Sequence, residues 1–243
     1  MKLMLIDKSS KDYVGGQFSY LALRSLEYAE FEKLFKFGRT TKMSNSLNAF
    51  QQATGWDHYA FLAKARDHKK LRGLLSNGCW LLDVGCGTGS MISKLQREYP
   101  ISRFVGIDPS IKAITSARKI AGAKGTTLIR GSGESMKFNE NFDIVFLCET
   151  LYATKDKHKV LTNCWRALKD HGTIIIIEGL PPQSKIDDPA SQLIIGMQLD
   201  FVLQGKEFMN KKDIMLLLKD NNFSAIRLQD LGGNVCLVTA AKK

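Results

Sequence analysis

The chain has 243 residues, of which 44% are hydrophobic and 24% are charged, a composition typical of a soluble globular protein. Its longest uninterrupted apolar runs are about five residues, which is too short to span a membrane. The 35 Lys and Arg against 24 Asp and Glu give a net charge of +11, which could attract nucleic acid. However, no aromatic residue interleaves the densest basic run, KARDHKKLR (64–72), and no RNA-module signature accompanies it, so we interpret it as a solvated helix face.

The N-terminal segment MKLMLIDKSS contains a four-residue apolar patch that ends at Asp7, which is too short for the core of a signal peptide. The five cysteines are odd in number and scattered, and no two form a C-x-x-C pair. This pattern argues against a disulfide framework or a zinc site and favours reduced thiols. We therefore expect a cytoplasmic protein that binds no metal and does not associate with membranes.

Helical patterns cover residues 18–37 and 56–75, and the polar segment GRTTKMSNSLN (38–48) joins them. No strand pattern of comparable strength precedes residue 77. We predict that residues 1–76 form a helical cap that serves as a substrate lid, and that residues 77–243 form a catalytic domain.

From residue 77 onward, short apolar segments rich in β-branched residues alternate with helical patterns. The predicted strands are 79–84, 103–108, 126–131, 142–148 and 172–179, and the predicted helices between them are 89–98, 110–122 and 156–169. This alternation is typical of βαβ units and of a parallel sheet buried on both faces. Right-handed crossovers arrange such units as a doubly wound, Rossmann-like fold.

The C-terminal segment has a different pattern. A helix is predicted from Asp188-Pro189 to Gly205, and because it is apolar nearly all round we expect it to lie between two surfaces. A further helix is predicted over 210–221. Two strands then flank a Gly-Gly-Asn turn (232–234), which predicts an antiparallel hairpin. The fold prediction is therefore an α/β protein with a mostly parallel seven-stranded sheet, an antiparallel C-terminal hairpin and an N-terminal helical cap.

A glycine-rich loop, Gly85-Cys86-Gly87-Thr88-Gly89, follows the first predicted strand. Such a loop turns tightly and exposes backbone N–H groups near a helix N-terminus. Its G-x-G-x-G spacing differs from the dinucleotide pattern G-x-G-x-x-G. Asp83, just before it, would repel phosphate but favour an ammonium group.

Three further segments fall at the carboxyl ends of predicted strands, the edge where ligands bind in such sheets. Asp108 ends the second strand, about 19 residues after the last glycine, which suits hydrogen bonds to a ribose diol. GSGES (131–135) and CETLY (148–152) end the third and fourth strands. A ligand with a ribose, a cationic amine and no phosphate is S-adenosylmethionine.

Residues 79–240 resemble the class I S-adenosylmethionine-dependent methyltransferases. The matching motifs are LLDVGCGTGS (81–90), FVGIDPS (104–110), GSGES (131–135), FDIVFLCETLY (142–152) and LKDHGTIIIIEG (168–179). The resemblance implies that the loop glycines cradle the methionine moiety beside Asp83, that Asp108 holds the ribose, and that residues 132–134 line the adenine. Ser132 departs from the family pattern, which often has Asp there. The predicted cofactor-binding residues are Asp83, Gly85, Cys86, Gly87, Gly89, Asp108, Pro109, Ser132, Gly133, Glu134 and Cys148.

The segment after residue 204 is similar to the closing part of small-molecule O-methyltransferases of the acetylserotonin/hydroxyindole type. In that group the segment that aligns with ETLY (149–152) supplies a His as general base, but Tyr152 stands at that position here. A Tyr with an ordinary pKa near 10 is a poor base at neutral pH. We therefore expect Tyr152 to orient the acceptor. Glu149 is the nearest alternative base, although it could instead contact the cofactor amine.

The cap and the apolar helix are expected to supply the substrate walls, with Trp56, Tyr59, Met197 and Phe201 as candidates. An apolar, aromatic pocket favours a small hydrophobic or aromatic metabolite, methylated at O, N or C and typical of secondary metabolism. The alternatives are a methyltransferase acting on RNA or protein, a nucleotide-binding oxidoreductase, and a non-catalytic S-adenosylmethionine-binding module. The sequence is compatible with a monomer or a homodimer.

Overall fold

The computed structural model describes residues 5–7, 15–28, 36, 53–122, 125–181, 189–203, 205–232 and 234–243. The helices within these ranges are α1 Gly15–Tyr28, α2 Gly55–Asp67, α3 Lys69–Ser76, α4 Ser90–Glu98, α5 Ile111–Ile120, α6 Lys157–Ala167, α7 Pro189–Leu203 and α8 Lys211–Asp220. The strands are β1 Trp80–Val84, β2 Arg103–Asp108, β3 Thr126–Arg130, β4 Phe142–Cys148, β5 Leu168–Gly179, β6 Phe223–Gly232 and β7 Val235–Lys242. None of these helices is long and apolar enough to cross a bilayer.

The seven strands form one sheet in the order β3-β2-β1-β4-β5-β7-β6. The first five are parallel, and β7 runs antiparallel to both β5 and β6. This confirms the predicted Rossmann-like fold with its antiparallel C-terminal hairpin. Strand order reverses between β1 and β4, so the carboxyl ends of these two strands form the crevice where ligands bind in doubly wound sheets.

Alternating apolar residues bury both faces of the sheet. Within β5, Ile174 and Ile176 join a core with α6 and α8, whereas Ile175 and Ile177 join a second core with α2, α3 and α4. Successive strand residues point to opposite faces, so a four-residue apolar run serves both cores. Helices α2 and α3 thus pack on the sheet itself, in the same layer as α4.

Of the two helices predicted in the N-terminal region, one is described only in part and the other is broken in two. The predicted helix 18–37 corresponds to α1, and its part beyond residue 28 lies outside the described residues except Lys36. The predicted single helix 56–75 is wrong, because the chain breaks at His68, whose backbone is extended (φ −84°, ψ 100°). The His68 side chain accepts a hydrogen bond from the Leu71 N–H at 3.3 Å and so caps α3.

The predicted burial of the apolar helix is also only partly right. On α7, Phe201 and Asp200 are buried, but Leu199 and Val202 are 59% and 55% exposed. Leu199 and Val202 therefore lie on a side of the helix that faces solvent. Its buried side faces α1, where Arg24 pairs with Asp200 at 2.8 Å and the Tyr20 hydroxyl donates to the same carboxylate. The sequence pattern shows which residues of α7 are apolar. It could not show that Asp200, the one acidic residue of this helix, is buried.

Candidate functional site

A cavity of about 510 Å³ opens at the carboxyl ends of β1, β2 and β4. Its wall comes from the loops that follow these strands and from α1, α2 and α7. It brings together most of the residues predicted from the sequence. Those in its lining are Gly85, Cys86, Gly87, Asp108, Pro109, Ser132, Gly133, Glu134, Cys148, Glu149, Tyr152 and Phe201.

The glycine loop takes a backbone conformation that other residues adopt only under strain. Gly85 has φ +80°, and its N–H and that of Cys86 both donate to the Ile107 carbonyl, at 2.8 and 3.0 Å. A Cβ on Gly85 would lie 2.5 Å from the Thr150 Oγ1, so the loop from β1 meets the loop from β4 without room for a side chain. Gly89 also has positive φ, but it lies at the start of α4 against Ala117 and Ala121.

Replacing Gly85 with Ala is expected to cost about 2–3 kcal/mol in the free energy of unfolding, because it combines left-handed strain with a clash against the Thr150 side chain. Urea unfolding followed by circular dichroism would measure this. Gly55→Ala is the matched control, since a Cβ there meets nothing within 4 Å and Gly55 starts a helix. Equal stabilities for the two variants would contradict the close contact between Gly85 and Thr150.

Asp108 connects two loops at the end of β2. Its Oδ2 accepts a hydrogen bond from the Gly87 N–H at 3.0 Å, and its Oδ1 accepts one from the Ser110 N–H at 2.8 Å. Burial raises the pKa of this carboxyl, while the two N–H groups lower it. Each carboxylate oxygen has a second lone pair, so Asp108 can still accept from two vicinal hydroxyls.

Asp83 lies behind the glycine loop and is 2% exposed. Its Oδ2 is buried and has no hydrogen-bond partner among the described residues. Burial first, and the neighbouring Asp108 second, raise the pKa of Asp83 to about 8. A buried carboxyl oxygen without a partner is costly unless a ligand pairs with it. An ammonium group is the ligand that this oxygen suits.

Glu178, at the end of β5, fixes the turn that carries Tyr152. Its Oε1 accepts the N–H groups of Thr150 and Leu151, at 2.8 and 2.5 Å, and its Oε2 accepts that of Tyr152 at 3.4 Å. These bonds hold the 3₁₀ turn Leu151–Ala153. Sequence reasoning missed this role, although an acid that ends a buried strand was a visible signal.

Tyr152 is 3% exposed and packs against both Phe201 and Phe208, with ring centroids at 5.4 and 5.0 Å. Burial, followed by the charges of Glu149 and Glu178, raises the pKa of its hydroxyl well above the ordinary value. The hydroxyl is therefore protonated and donates hydrogen bonds. This agrees with the expectation that Tyr152 orients a group rather than removing a proton.

The cavity also contains residues that sequence reasoning did not place there. His58 and Lys206 line it, from α2 and from the segment after α7. Burial first, and Lys94 second, lower the pKa of His58 to about 3, so its imidazole is neutral. Tyr59, a predicted wall residue, instead lies under the Lys94 ammonium, 5.1 Å from its ring centroid. The side chains of two more predicted wall residues lie outside the described part of the structure; these are Trp56 and Met197.

The comparisons with known proteins agree with this geometry. Residues 82–176 match the family model described as a methyltransferase domain. The chain is 27% identical over 169 residues to a desmethyl-yatein O-methyltransferase of Sinopodophyllum hexandrum, a match that covers 67% of this chain and 46% of the relative. It is 30% identical over 155 residues to a eugenol O-methyltransferase of Sorghum bicolor, with coverage of 59% and 38%. This chain therefore spans less than half the length of either relative.

Among solved structures, the fold is similar to that of phosphoethanolamine N-methyltransferase 2 of Haemonchus contortus in complex with S-adenosyl-L-methionine. The TM-score is 0.57 at 17% sequence identity, and the match covers 68% of this chain and 49% of the other. The sheet order, the glycine loop and the matched domain together define a methyltransferase of the Rossmann-like type. The chain contains a methyltransferase domain at residues 82–176 and is similar to the class I S-adenosylmethionine-dependent methyltransferases.

The cofactor of these methyltransferases is S-adenosylmethionine, and residues in and beside the cavity suit it. The unpartnered Asp83 oxygen suits the ammonium, and the Asp108 carboxylate suits a ribose diol. The loop of Ser132–Glu134 is held by Asn163, whose side-chain amide donates to the carbonyls of Gly133 and Glu134 at 2.9 and 3.0 Å. Ser132 and Tyr152, the two residues that depart from the family pattern, both line the cavity.

Proposed function

We propose that this chain transfers the methyl group of S-adenosylmethionine to a small apolar or aromatic metabolite. The observation that carries the proposal is the continuity of the cavity. Part of its lining is the glycine loop with Asp108, and another part is aromatic, with Tyr20, Tyr152 and Phe201. A single cavity thus offers polar groups for the cofactor and an aromatic surface for an acceptor.

For the cofactor, we assign the methionine moiety to the glycine loop and Asp83, the ribose to Asp108, and the adenine to Pro109 and Ser132–Glu134. The bound cofactor supplies a methyl group already activated on a sulfonium. The protein therefore contributes mainly positioning and exclusion of water. The Glu178-held turn fixes Tyr152, and Phe201 and Phe208 keep its ring in place, so its hydroxyl can donate a hydrogen bond that orients the acceptor for in-line transfer.

For the acceptor, α1 and α2 supply Tyr20, Thr54 and His58 to the lining. We therefore assign residues 1–76 the role of a substrate lid, with residues 77–243 as the catalytic domain. All five cysteines are free thiols. This supports our assignment of the chain to a reducing compartment, the cytoplasm.

Asp108→Ala is expected to weaken S-adenosylmethionine binding about 10- to 100-fold, because hydrogen bonds to a charged group contribute about 1.5–3 kcal/mol. Isothermal titration calorimetry measures the dissociation constant. The exposed Asp213 provides a control, and Asp213→Ala should leave the affinity unchanged. Unchanged affinity in Asp108→Ala would remove this residue from the cofactor site.

Methyl transfer itself is tested with tritiated S-adenosylmethionine, purified chain, a metabolite extract and an RNA fraction. We expect the label in an organic-extractable small molecule. Label in RNA or protein would instead favour a macromolecular acceptor attracted by the +11 charge, and that transfer would weaken steeply with salt. Binding of a nicotinamide dinucleotide without binding of S-adenosylmethionine would overturn the proposal altogether.

A further inference from the structure

Two buried carboxyl groups, one in the lining of the cavity and one close to it, have no evident use for the cofactor. Glu149 follows β4 and lines the cavity in a left-handed conformation, with φ +51°. Its Oε1 is buried and has no hydrogen-bond partner among the described residues. Asp57 reaches the same region from α2; it is 2% exposed, and its Oδ1 is likewise buried and unpartnered within the described part of the chain.

The surroundings of Glu149 favour its protonated form. Burial has the largest effect, and the charges of Asp57 and then Glu178 raise its pKa further, well above the ordinary value. Opposing them are the Gly179 N–H and the Tyr152 hydroxyl, which lower its pKa. Both oxygens of Glu178 accept hydrogen bonds from backbone N–H groups of the turn. Among these three carboxyl groups, Asp57 and Glu149 are therefore the two with a buried oxygen that accepts no hydrogen bond from the described residues.

The other ionisable groups near this point are poorer proton acceptors. Cys148, which precedes Glu149, has a raised pKa because of its burial and then because of Asp57, so its thiol is protonated. Tyr152 is protonated for the reasons given above. His58 has a pKa of about 3 and holds a transferred proton weakly. Lys206 lines the cavity, and burial lowers its pKa. As a cation it has no lone pair to accept a proton.

We propose that Glu149 is the general base that accepts the proton of an acceptor hydroxyl, that Asp57 is a positioning residue acting through Glu149, and that the acceptor is a hydroxylated aromatic compound. This rests on the proposed function. In the step, the hydroxyl proton moves to the Glu149 carboxylate, and the acceptor oxygen forms the bond to the methyl carbon. The bond between that carbon and sulfur breaks, and its electron pair returns to sulfur. Glu149 then releases the proton to solvent.

The first test compares acceptors that do and do not need a base. 4-Nitrophenol is largely ionised at mildly alkaline pH, whereas 4-methylphenol is not. In Glu149→Gln, the rate of methyl transfer to 4-methylphenol should fall about 100-fold or more, the usual range for loss of a general base. The rate with 4-nitrophenol should fall less than 10-fold. Calorimetry should give an unchanged dissociation constant for S-adenosylmethionine, which separates a base from a cofactor ligand.

The second test is the pH profile of Asp57→Asn with 4-methylphenol. Because the base works only when ionised, kcat/KM of the wild type should rise with pH through an inflection above the ordinary glutamic acid range. Burial, followed by the charge of Glu178, also raises the pKa of Asp57, so the two carboxyls compete to ionise. Because Asn carries no charge at any pH, Asp57→Asn removes the repulsion between them, and the inflection should move to lower pH. Asp213→Asn, an exposed carboxyl on α8, should leave the inflection in place.

The outcomes separate this inference from the proposed function. Equal losses on both phenols in Glu149→Gln, or a loss of cofactor affinity that matches the loss of rate, would overturn the assignment of the base. So would an unmoved inflection in Asp57→Asn. A wild-type chain that methylates amines but neither phenol overturns the hydroxyl acceptor and leaves the proposed function standing. Failure of the wild type to bind S-adenosylmethionine overturns both.

Discussion

Asp200→Ala is expected to lower the free energy of unfolding by about 3–5 kcal/mol, the range for removing one partner of a buried ion pair. Arg24 is 1% exposed, its Nε donates to Asp200 Oδ1 at 2.8 Å, and its Nη2 lies 2.8 Å from the same oxygen. Tyr20 donates to the other oxygen of the same carboxylate. The variant would leave a buried charge and a buried hydroxyl without this acceptor. Because Tyr20 lines the cavity, acceptor binding should weaken as well.

An exposed ion pair provides the control for this result. Arg66 and Glu98 form two hydrogen bonds at 2.6–2.7 Å, but their side chains are 58% and 23% exposed. Glu98→Ala should therefore cost less than about 1 kcal/mol, despite the shorter distances. Urea unfolding of both variants measures the difference. If the two variants lost similar amounts of unfolding free energy, burial would not be the reason that the ion pair between α1 and α7 is stabilising.

The fold could be predicted from the sequence because apolar strand segments and helical patterns alternate regularly from residue 77 onward. Strands β2 and β4 have the predicted bounds. Strand β5 begins at Leu168 rather than 172, because Leu168 pairs with Phe142 across an irregularity in the register with β4. The break at His68 depends on one side-chain hydrogen bond, and helical periodicity continues through that residue, so a pattern of apolar positions could not reveal it.

The site was predictable where it depends on backbone motifs and less so where it depends on packing between distant elements. The glycine loop, Asp108 and the ends of β3 and β4 are fixed by strand topology, so their sequence positions indicated their shared edge. Asp57 and His58 lie in a charged helix that the sequence alone assigned to a cap. They reach the site because Phe61, one turn further on, packs on Phe146 of β4, with ring centroids at 4.9 Å. That contact joins residues far apart in the chain.

Asp83→Asn is expected to change stability and binding in opposite directions. The pKa of Asp83 is about 8 in the folded chain against an ordinary value of 3.8, so the folded state favours the protonated form. The stability that this form confers is fully present below pH 3.8 and is lost as the pH rises toward 8. At pH 7 the loss amounts to about 4 kcal/mol, at roughly 1.4 kcal/mol per pH unit. Asparagine has a similar shape and does not ionise, so it should recover about 2 kcal/mol or more of that loss.

The same substitution removes the negative charge that we assign to the cofactor ammonium, so affinity for S-adenosylmethionine should fall about 10- to 100-fold. Unfolding of the cofactor-free chain at pH 4 and pH 7.5 and calorimetry at pH 7.5 measure the two effects. The variant should match the wild type in stability at pH 4 and exceed it at pH 7.5. A purely structural carboxyl would lose stability on substitution and leave binding unchanged. A gain in stability together with a loss of binding is therefore expected only if the function of the Asp83 carboxylate is to bind a cationic ligand.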